Sequence, residues 1–277
     1  MRETQTPITA LFATTFVLTS LSGFAQALAP PTTAALVQVL AEGDENAKYL
    51  LITRFLNLPA HSVDGSVIRV LSDELNTLTD EGVQRETLIA RGTLPEPRSG
   101  EYDSLVTDVL AQQMNPIAIP ALVRVVADGY SSFEALVRFG DVAVPALVDG
   151  CRTDRGLNMH IRKCLDVLEQ MLERPAIAAT LSAASLSQIK AVAFDRMLNP
   201  VGEPDVLDPE GRLGDPYVLA AAAYLAVATR DPNLRSQVVA LLDNSVAAFQ
   251  ARNIEQKWIP TVSDLVRQAL AKFPPPQ

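Results

Sequence analysis

The cysteines and histidines are the residues of this sequence with the widest range of chemistry, and the chain has only two of each. His160 and Cys164 stand four residues apart, a spacing that puts both side chains on one face of a helix. A cysteine nucleophile needs a histidine that a third group orients, and a zinc site needs four ligands. The neighbouring sequence supplies neither, His61 lies far upstream, and no phosphate-binding loop or nucleophile-elbow motif occurs. We therefore predict no catalytic residues, no metal ligands and no cofactor.

The two cysteines, Cys151 and Cys164, are predicted to lie on apolar stripes of neighbouring helices. An even number of cysteines in an exported chain favours a disulfide, whereas a position on an apolar stripe is typical of a small core residue. Cys164 is expected about two turns into its helix, too deep to face the end of the preceding one. A disulfide and a pair of buried thiols both remain open at this point.

An acidic segment rich in glycine and proline invites comparison with a calcium-binding loop. Its acidic residues are Asp205, Asp208, Glu210 and Asp215. With Gly211 at the turn position of an EF-hand, Val206 takes the place of the first aspartate and Tyr217 that of the bidentate glutamate. This register excludes an EF-hand and leaves two interpretations, a looser calcium contact or a solvated acidic loop.

One region of the sequence concentrates basic residues on a predicted turn and the start of the following helix, namely Arg152, Arg155, Arg162 and Lys163. Arg138, on the preceding short helix, could extend this group of candidate partner-binding residues along the groove. They are either ordinary surface charges that also complement helix ends or a patch that binds an anion or an acidic peptide. The spacing alone does not separate the two.

The overall composition limits the classes of partner. The formal net charge is −9, so phosphate backbones and anionic lipid surfaces are poor general partners, and we predict no nucleic-acid binding. Hydrophobic residues make up 48% of the chain, enough for a substantial core, while aromatic residues make up only 5%. A core of alanine, leucine and valine suits closely packed helices better than a sheet.

The N-terminus has the pattern of a secretory signal peptide, predicted over residues 1–27. Arg2 precedes an uncharged stretch, Ala10 to Ala27, that ends in the cleavage motif Ala25-Gln26-Ala27. The stretch is rich in threonine and serine and shorter than the roughly 20 apolar residues of a membrane-spanning helix. We therefore expect cleavage after Ala27, a periplasmic or secreted protein, and no integral membrane span after removal of the signal.

A tetrapeptide that occurs twice, Pro-Ala-Leu-Val at residues 120–123 and 145–148, opens two similar apolar stripes. The stripes are Ile119, Leu122, Val123 and Val126, and then Val144, Leu147, Val148 and Cys151. Their spacing is that of one helix face, and proline is favoured in a first helical turn. A short helix with Phe133, Leu136 and Val137 inward lies between them, capped by Ser131-Ser132 and ended by Gly140.

Helical periodicity continues along most of the chain, and no strand pattern occurs. The other predicted helices span about residues 32–41, 46–56, 63–78, 81–90, 158–172, 185–198, 216–229, 232–249 and 254–273. A connector at 92–100 and a long loop at 199–215 interrupt the series, and 274–277 form a C-terminal tail. We predict an all-α fold with one domain over residues 28–273.

Two motifs resemble bacterial HEAT-like repeats of the phycobilisome-lyase type. Gly140-Asp141 followed by Ala143-Val144-Pro145-Ala146-Leu147 is similar to the "G-D-x-x-A-V-P-A-L" signature, and Asp231-Pro232-Asn233-Leu234-Arg235 to the "D-P-x-x-R" opening of the partner helix. The resemblance implies an α-solenoid of stacked antiparallel helical hairpins whose second helices line a concave groove. Most proteins of this kind are scaffolds or adaptors, and some are chromophore lyases.

The expected function is therefore a non-enzymatic scaffold or adaptor of the bacterial cell envelope that binds a protein or peptide on its concave face. The alternatives are a lyase-like or enzyme-accessory protein that holds a small ligand in the groove, and a purely structural envelope component. The sequence leaves the partner and the oligomeric state open.

Overall fold

The structure, a computed structural model, describes residues 32–90, 92, 101–152, 158–200 and 213–274. Within these ranges the chain is all-helical and has no strands, as predicted. The helices are α1 Thr33–Glu42, α2 Glu45–Leu56, α3 Gly65–Ala90, α4 Glu101–Gln113, α5 Ile119–Arg124, α6 Tyr130–Phe139, α7 Val144–Gly150, α8 Asn158–Glu173, α9 Pro175–Ala178, α10 Ala183–Leu198, α11 Pro216–Ala228, α12 Pro232–Asp243, α13 Ser245–Gln250 and α14 Ile259–Lys272.

The helices contact one another in two rows. The first row is α2, α4, α6, α8, α11 and α14, in which each helix contacts the next. The second row is α1, α3, α5, α7 and α10, again with each in contact with the next. Helices that are consecutive in the chain pack across the rows, as α5 does with α6, α7 with α8 and α10 with α11. The core lies between the rows, where the apolar faces of both meet.

The two apolar stripes that open with Pro-Ala-Leu-Val face this core, as predicted. Leu122, Val144 and Leu147 are fully buried, and Val126 is nearly so. The stripe of α3 is buried as well, through Val67, Leu71, Leu75 and Leu78. Since burying a leucine or valine side chain contributes about 1.5–3 kcal/mol, these stripes hold neighbouring helices together.

A short 3₁₀ turn precedes each of the two helices that contain Pro-Ala-Leu-Val. Pro116–Ala118 precedes α5, Gly140–Ala143 precedes α7, and in both helices proline lies in the first turn, where it displaces no hydrogen bond. The same arrangement occurs a third time, because Gln256–Trp258 precedes α14 and Pro260. The shared sequence feature is a buried β-branched residue before the proline rather than the whole tetrapeptide.

The motif residues that carry the resemblance make structural contacts. Asp141 accepts a hydrogen bond from the Ser182 backbone N–H (2.8 Å), which ties the α6–α7 turn to the start of α10 and holds the pKa of Asp141 below its usual value. Gly140 has a φ of 58°, in the left-handed region that favours glycine, and it ends α6 as predicted. Asp231 caps α12, and Arg235 donates to backbone carbonyls at the end of α14.

Several predicted helix boundaries are wrong. The predicted helices 63–78 and 81–90 form one helix, α3, since nothing between them breaks the backbone pattern and the Thr79 hydroxyl donates to the Leu75 carbonyl within it (2.8 Å). The predicted helix 232–249 is divided at Asn244, whose backbone leaves the helical region. Helix α4 was not predicted.

The predicted serine cap of α6 is also wrong. Gly129 occupies the N-cap position and makes no side-chain hydrogen bond. The Ser132 hydroxyl donates to the Gly129 and Val125 carbonyls, and the Ser131 hydroxyl donates to Asp108 on α4. The two serines therefore tie α6 to its neighbours instead of capping it.

Five predictions fall wholly or partly outside the described residues. The signal peptide at 1–27 and Arg155 lie outside them entirely, and so do most of the connector, of the long loop and of the C-terminal tail. Among the described residues, none of the helices has the length and apolar character needed to cross a membrane.

Candidate functional site

Two of the predicted partner-binding residues, Arg162 and Lys163, lie side by side on the second turn of α8. Both make ionic contacts with Asp166, Arg162 at 3.9 Å and Lys163 at 3.6 Å. Burial raises the pKa of Asp166 above its usual value, although the two cations act to lower it. The two cations are thus partly compensated by Asp166 and do not form an isolated basic patch.

Each of these two cations also lies over an aromatic ring of a neighbouring helix. The Arg162 guanidinium carbon is 5.4 Å from the centre of the Tyr217 ring, and Lys163 Nζ is 5.8 Å from the centre of the Phe133 ring. Both distances are within the range of a cation–π interaction. The contacts hold the side chains against the surface formed by α6, α8 and α11.

Tyr217 continues the contact to α14. Its ring meets that of Trp258 edge to face with centres 5.9 Å apart, and Lys257 Nζ lies 5.7 Å from the centre of the Trp258 ring. We call Arg162, Tyr217, Trp258 and Lys257 the cation–aromatic row. It crosses the N-terminal ends of three consecutive helices of the first row. Tyr217 is 39% exposed and so is the Arg162 side chain, so the row is open to solvent.

Local sequence explains why Tyr217 and Trp258 take these positions. The Asp215 carboxylate caps α11 by accepting hydrogen bonds from the backbone N–H groups of Tyr217 (2.7 Å) and Val218 (2.9 Å). Trp258 ends the 3₁₀ turn that precedes Pro260 and α14. Each aromatic ring is therefore fixed at a helix start by a cap or a turn.

The remaining predicted partner-binding residues do not join the row. Arg138 is exposed on α6, where it lies close enough to the Glu134–Arg174 ion pair to help lower the pKa of Glu134. Arg174 makes two hydrogen bonds to Glu134, at 2.6 and 2.7 Å, and is the main cause of that shift. Arg152 is exposed just after α7, and Arg155 lies outside the described residues.

A second charged group lies near the C-terminal end of α8. Lys272 of α14 donates a hydrogen bond to Glu169 (2.9 Å), which is 8% exposed, and also contacts Glu173. Burial raises the pKa of Glu169 to about 7 in spite of the lysine. Lys272 Nζ lies 5.6 Å from the centre of the Tyr224 ring of α11. We call Glu169, Glu173 and Lys272 the acidic cluster, and it ties α8 to α14 across α11.

The structure brings Cys151, Cys164 and His160 together in the core. Both cysteines are fully buried as free thiols, and His160 is 8% exposed with its Nε2 atom 3.7 Å from Cys164 Sγ. A hydrogen bond with Cys151 and burial raise the pKa of the Cys164 thiol well above its usual value. The expectation that Cys164 lies too deep to face the end of α7 is therefore wrong. Gly150 is the reason, because a Cβ there would lie 3.0 Å from Cys164 Sγ.

Metal ligation finds no support among the described residues. They contain no group of three histidine, cysteine or carboxylate side chains that is suited to a metal ion. Of the acidic residues considered for calcium, Asp215 caps α11, while Asp205, Asp208 and Glu210 lie outside the described residues.

An open cavity of about 480 Å³ lies on the first row, toward the N-terminal part of the chain. Tyr49 of α2 and four residues of α4 line it, namely Glu101, Ser104, Leu105 and Asp108. Its lining combines the apolar surface of Tyr49 and Leu105 with two acidic side chains, Glu101 and Asp108. This cavity was not predicted, because it is formed by α4 and by the contact of α4 with α2.

No protein-family model matches the chain, and no curated protein or solved structure matches it either. The resemblance to HEAT-like repeats therefore rests on the two motifs quoted above and stays a prediction.

Proposed function

We propose that this protein is a non-enzymatic scaffold or adaptor of the bacterial cell envelope that binds a protein or peptide through the cation–aromatic row. The observation that carries the proposal is the contact series Arg162–Tyr217–Trp258, in which Tyr217 is exposed and the other two are half-buried, across three consecutive helices of the first row. Tyrosine, tryptophan and arginine are the residues most enriched among those that dominate binding energy at protein interfaces. In a chain with one tryptophan, five tyrosines and few aromatics overall, their meeting at a partly exposed place supports a binding surface.

The arrangement of the helices supports an α-solenoid of HEAT-like hairpins as the scaffold. In such repeats the second helices line the concave groove, and the first row consists of the second helices of successive pairs. The cation–aromatic row would then lie on the concave face. Arg162 and Lys257 each have a carboxylate neighbour, Asp166 and Glu255, and a carboxylate-bearing segment of the partner would share these cations while the rings contact its apolar parts.

The direct test is a pull-down from envelope extracts with variants that change the row. We expect a partner that is retained by the unaltered protein and by Arg69→Glu, an exposed charge reversal on α3, and that is lost with Arg162→Glu or Tyr217→Ser. Equal retention by all four proteins, or nothing above background with saturating bait, would contradict the proposal.

A solution titration then locates the binding site, because Trp258 is the only tryptophan in the chain and lies within the row. Addition of the captured segment should change its fluorescence in the unaltered protein and in Arg69→Glu. An unchanged signal at saturating segment would place the binding elsewhere.

Export is a separate part of the proposal and rests on the sequence pattern of residues 1–27. N-terminal sequencing of the protein recovered from its native compartment should begin at Leu28. A chain that retains residues 1–27, or that remains in the cytoplasm, would contradict it.

The cavity on α2 and α4 favours a second candidate, a small ligand bound in the groove. Glu101 and Asp108 in its wall would select a cationic molecule. A thermal-shift screen tests it, with a hit expected to weaken in Asp108→Asn and to persist in Arg162→Glu. No hit from cationic compounds would exclude this candidate.

A further inference from the structure

The chain has two cysteines and two histidines, and three of these four residues meet in one buried place. Cys151 ends the α7 segment, while His160 and Cys164 lie on the first turns of α8. Both cysteines are completely buried, and Cys164 Sγ lies against Gly150, the residue next to Cys151. The sequence did not predict this proximity. It placed Cys164 too deep in α8 to face the end of α7.

The close approach depends on a residue with no side chain. A Cβ at Gly150 would lie 2.9 Å from Val123 Cγ1, 3.0 Å from Cys164 Sγ and 3.4 Å from His160 Nε2. The absence of that carbon lets the end of α7 press against α8 at the depth of Cys164. The approach of Cys164 to the residue beside Cys151 therefore follows from how the two helices pack.

We propose that Cys151 and Cys164 are the two halves of an intrachain disulfide that forms when the chain folds in an oxidising compartment. This inference does not depend on what the cation–aromatic row binds. It assigns to the thiol pair a covalent bond between the end of α7 and the start of α8, the two helices that pack across the rows. Disulfides persist in the oxidising compartments of exported proteins, and the N-terminal sequence predicts export of this chain.

The reaction is a two-electron oxidation by a disulfide oxidant such as oxidised glutathione. One cysteine, as its thiolate, attacks the oxidant and releases one molecule of reduced glutathione, which leaves a mixed disulfide. The second cysteine attacks the protein sulfur of that mixed disulfide and releases the second molecule. Two protein thiols lose two protons and two electrons in total, and the oxidant gains them. His160 Nε2, 3.7 Å from Cys164 Sγ, is within reach to accept the Cys164 proton.

Burial of the pair determines when the bond forms. In the folded, reduced chain the sulfur atoms have no contact with solvent, and a raised pKa keeps Cys164 as the unreactive thiol. Oxidation is therefore expected before the helices pack, or through local opening. The finished bond is in turn protected from reduction.

The test compares formation of the bond in the folded and the unfolded chain. The purified chain is equilibrated with a series of ratios of reduced to oxidised glutathione, once in native buffer and once in denaturant, and its thiols are counted after acid quenching. We expect full oxidation in native buffer without a glutathione adduct, seen as a mass lower by two hydrogen atoms. Closing a loop of roughly 15 residues should favour the bond roughly 100-fold more in the folded than in the unfolded chain.

Two results would overturn the proposal. One is a pair of free thiols, or a stable glutathione adduct, in native buffer at ratios that oxidise the unfolded chain. The other is an equilibrium for bond formation that is equal or weaker in the folded chain, since folding would then oppose the bond. Both measurements use the unaltered chain, so neither depends on whether a variant folds.

Single-cysteine variants add a control. Cys151→Ser and Cys164→Ser should each keep one thiol, and reduction should leave their urea midpoint unchanged. Reduction of the unaltered protein should lower its midpoint, and an equal midpoint in the two redox states would count against the proposal.

Discussion

Helix α8 buries two polar stripes of opposite character. One, the thiol stripe, carries His160 and Cys164, and the other carries Asp166, Glu169 and Glu173. The thiol stripe meets the end of α7 through close contacts with Gly150. The acidic stripe buries charge and depends on Lys272 from α14. The difference shows that close packing holds one side of α8. On the other side, the contribution of Glu169 and Lys272 to stability depends on pH.

The largest expected effect is on the acidic stripe. Glu169 has a pKa of about 7 in the folded chain against 4.5 as its ordinary value, so the folded state keeps a proton that the unfolded state loses. The free energy of unfolding should therefore fall by about 3 kcal/mol as pH rises from about 4.5 to about 7.5. Urea unfolding at several pH values measures the fall, and most of it should vanish in Glu169→Gln.

Other acids do not reverse this sign. The pKa values of Asp128 and Asp166 are also raised, so they add a smaller fall in the same direction. Asp64 and Asp231 have lowered pKa values, and their contribution is lost only as pH falls below about 3.8. A stability that rises between pH 5 and pH 8 would show that Glu169 is not a buried carboxyl group of raised pKa.

The next effect is the loss of the lysine that compensates the acidic stripe. Lys272→Met should lower the free energy of unfolding by about 2 kcal/mol at pH 8, because Glu169 would keep a buried charge without its cation. The loss should be smaller at pH 5, where Glu169 is protonated. Lys257→Met is the matched control, since the Lys257 side chain is 66% exposed and its removal should change little. Equal losses of stability in the two variants would show that Lys272 does not compensate a buried charge on Glu169.

The thiol stripe should respond to volume instead of pH. Gly150→Ala places a methyl group against Val123, Cys164 and His160 and should lower the free energy of unfolding by about 1 kcal/mol, equally at pH 5 and pH 8. In Gly82→Ala, within α3, no atom lies within 4 Å of the new carbon, so the substitution should instead raise the free energy of unfolding by about 1 kcal/mol. Stabilisation by both substitutions would mean that α7 and α8 do not pack closely.

The smallest effect on stability is expected at the exposed end of α8. Arg162→Ala should change the free energy of unfolding by less than about 0.5 kcal/mol, because the Arg162 side chain is 39% exposed and Lys163 still pairs with Asp166. Partner capture should nevertheless be lost. A large loss of stability would indicate that the row is a structural contact rather than a binding surface.

Much of the helical content was predictable because its signals are local. Apolar residues at helical spacing located α8 and α10 to within a few residues. Helix α4 was missed although Leu105, Val106, Val109 and Leu110 have helical spacing, so its signal was present in the sequence. The boundary inside α3 was placed wrongly because the apolar stripe ends at Leu78, whereas the backbone stays helical and the Thr79 hydroxyl donates within the helix.

The candidate site was predicted only in part. Arg162 and Lys163 were identified from the density of basic residues along the chain. Tyr217 and Trp258 were not, because they lie on other helices and no spacing rule relates them to Arg162. The position of Tyr217 at a helix start could have been predicted, since Asp215-Pro216 is a typical helix opening.

The sequence by itself determined the helices, their buried faces and the proline starts that orient three of them, because these depend on backbone preferences and on residues within one or two turns. Only the tertiary structure decided which side chains meet. It places Cys151 against Cys164, Glu169 against Lys272, and Arg162 in line with Tyr217 and Trp258. The physical reason is that packing distances between helices depend on single small residues such as Gly150, whose effect has no counterpart in the periodicity of either helix.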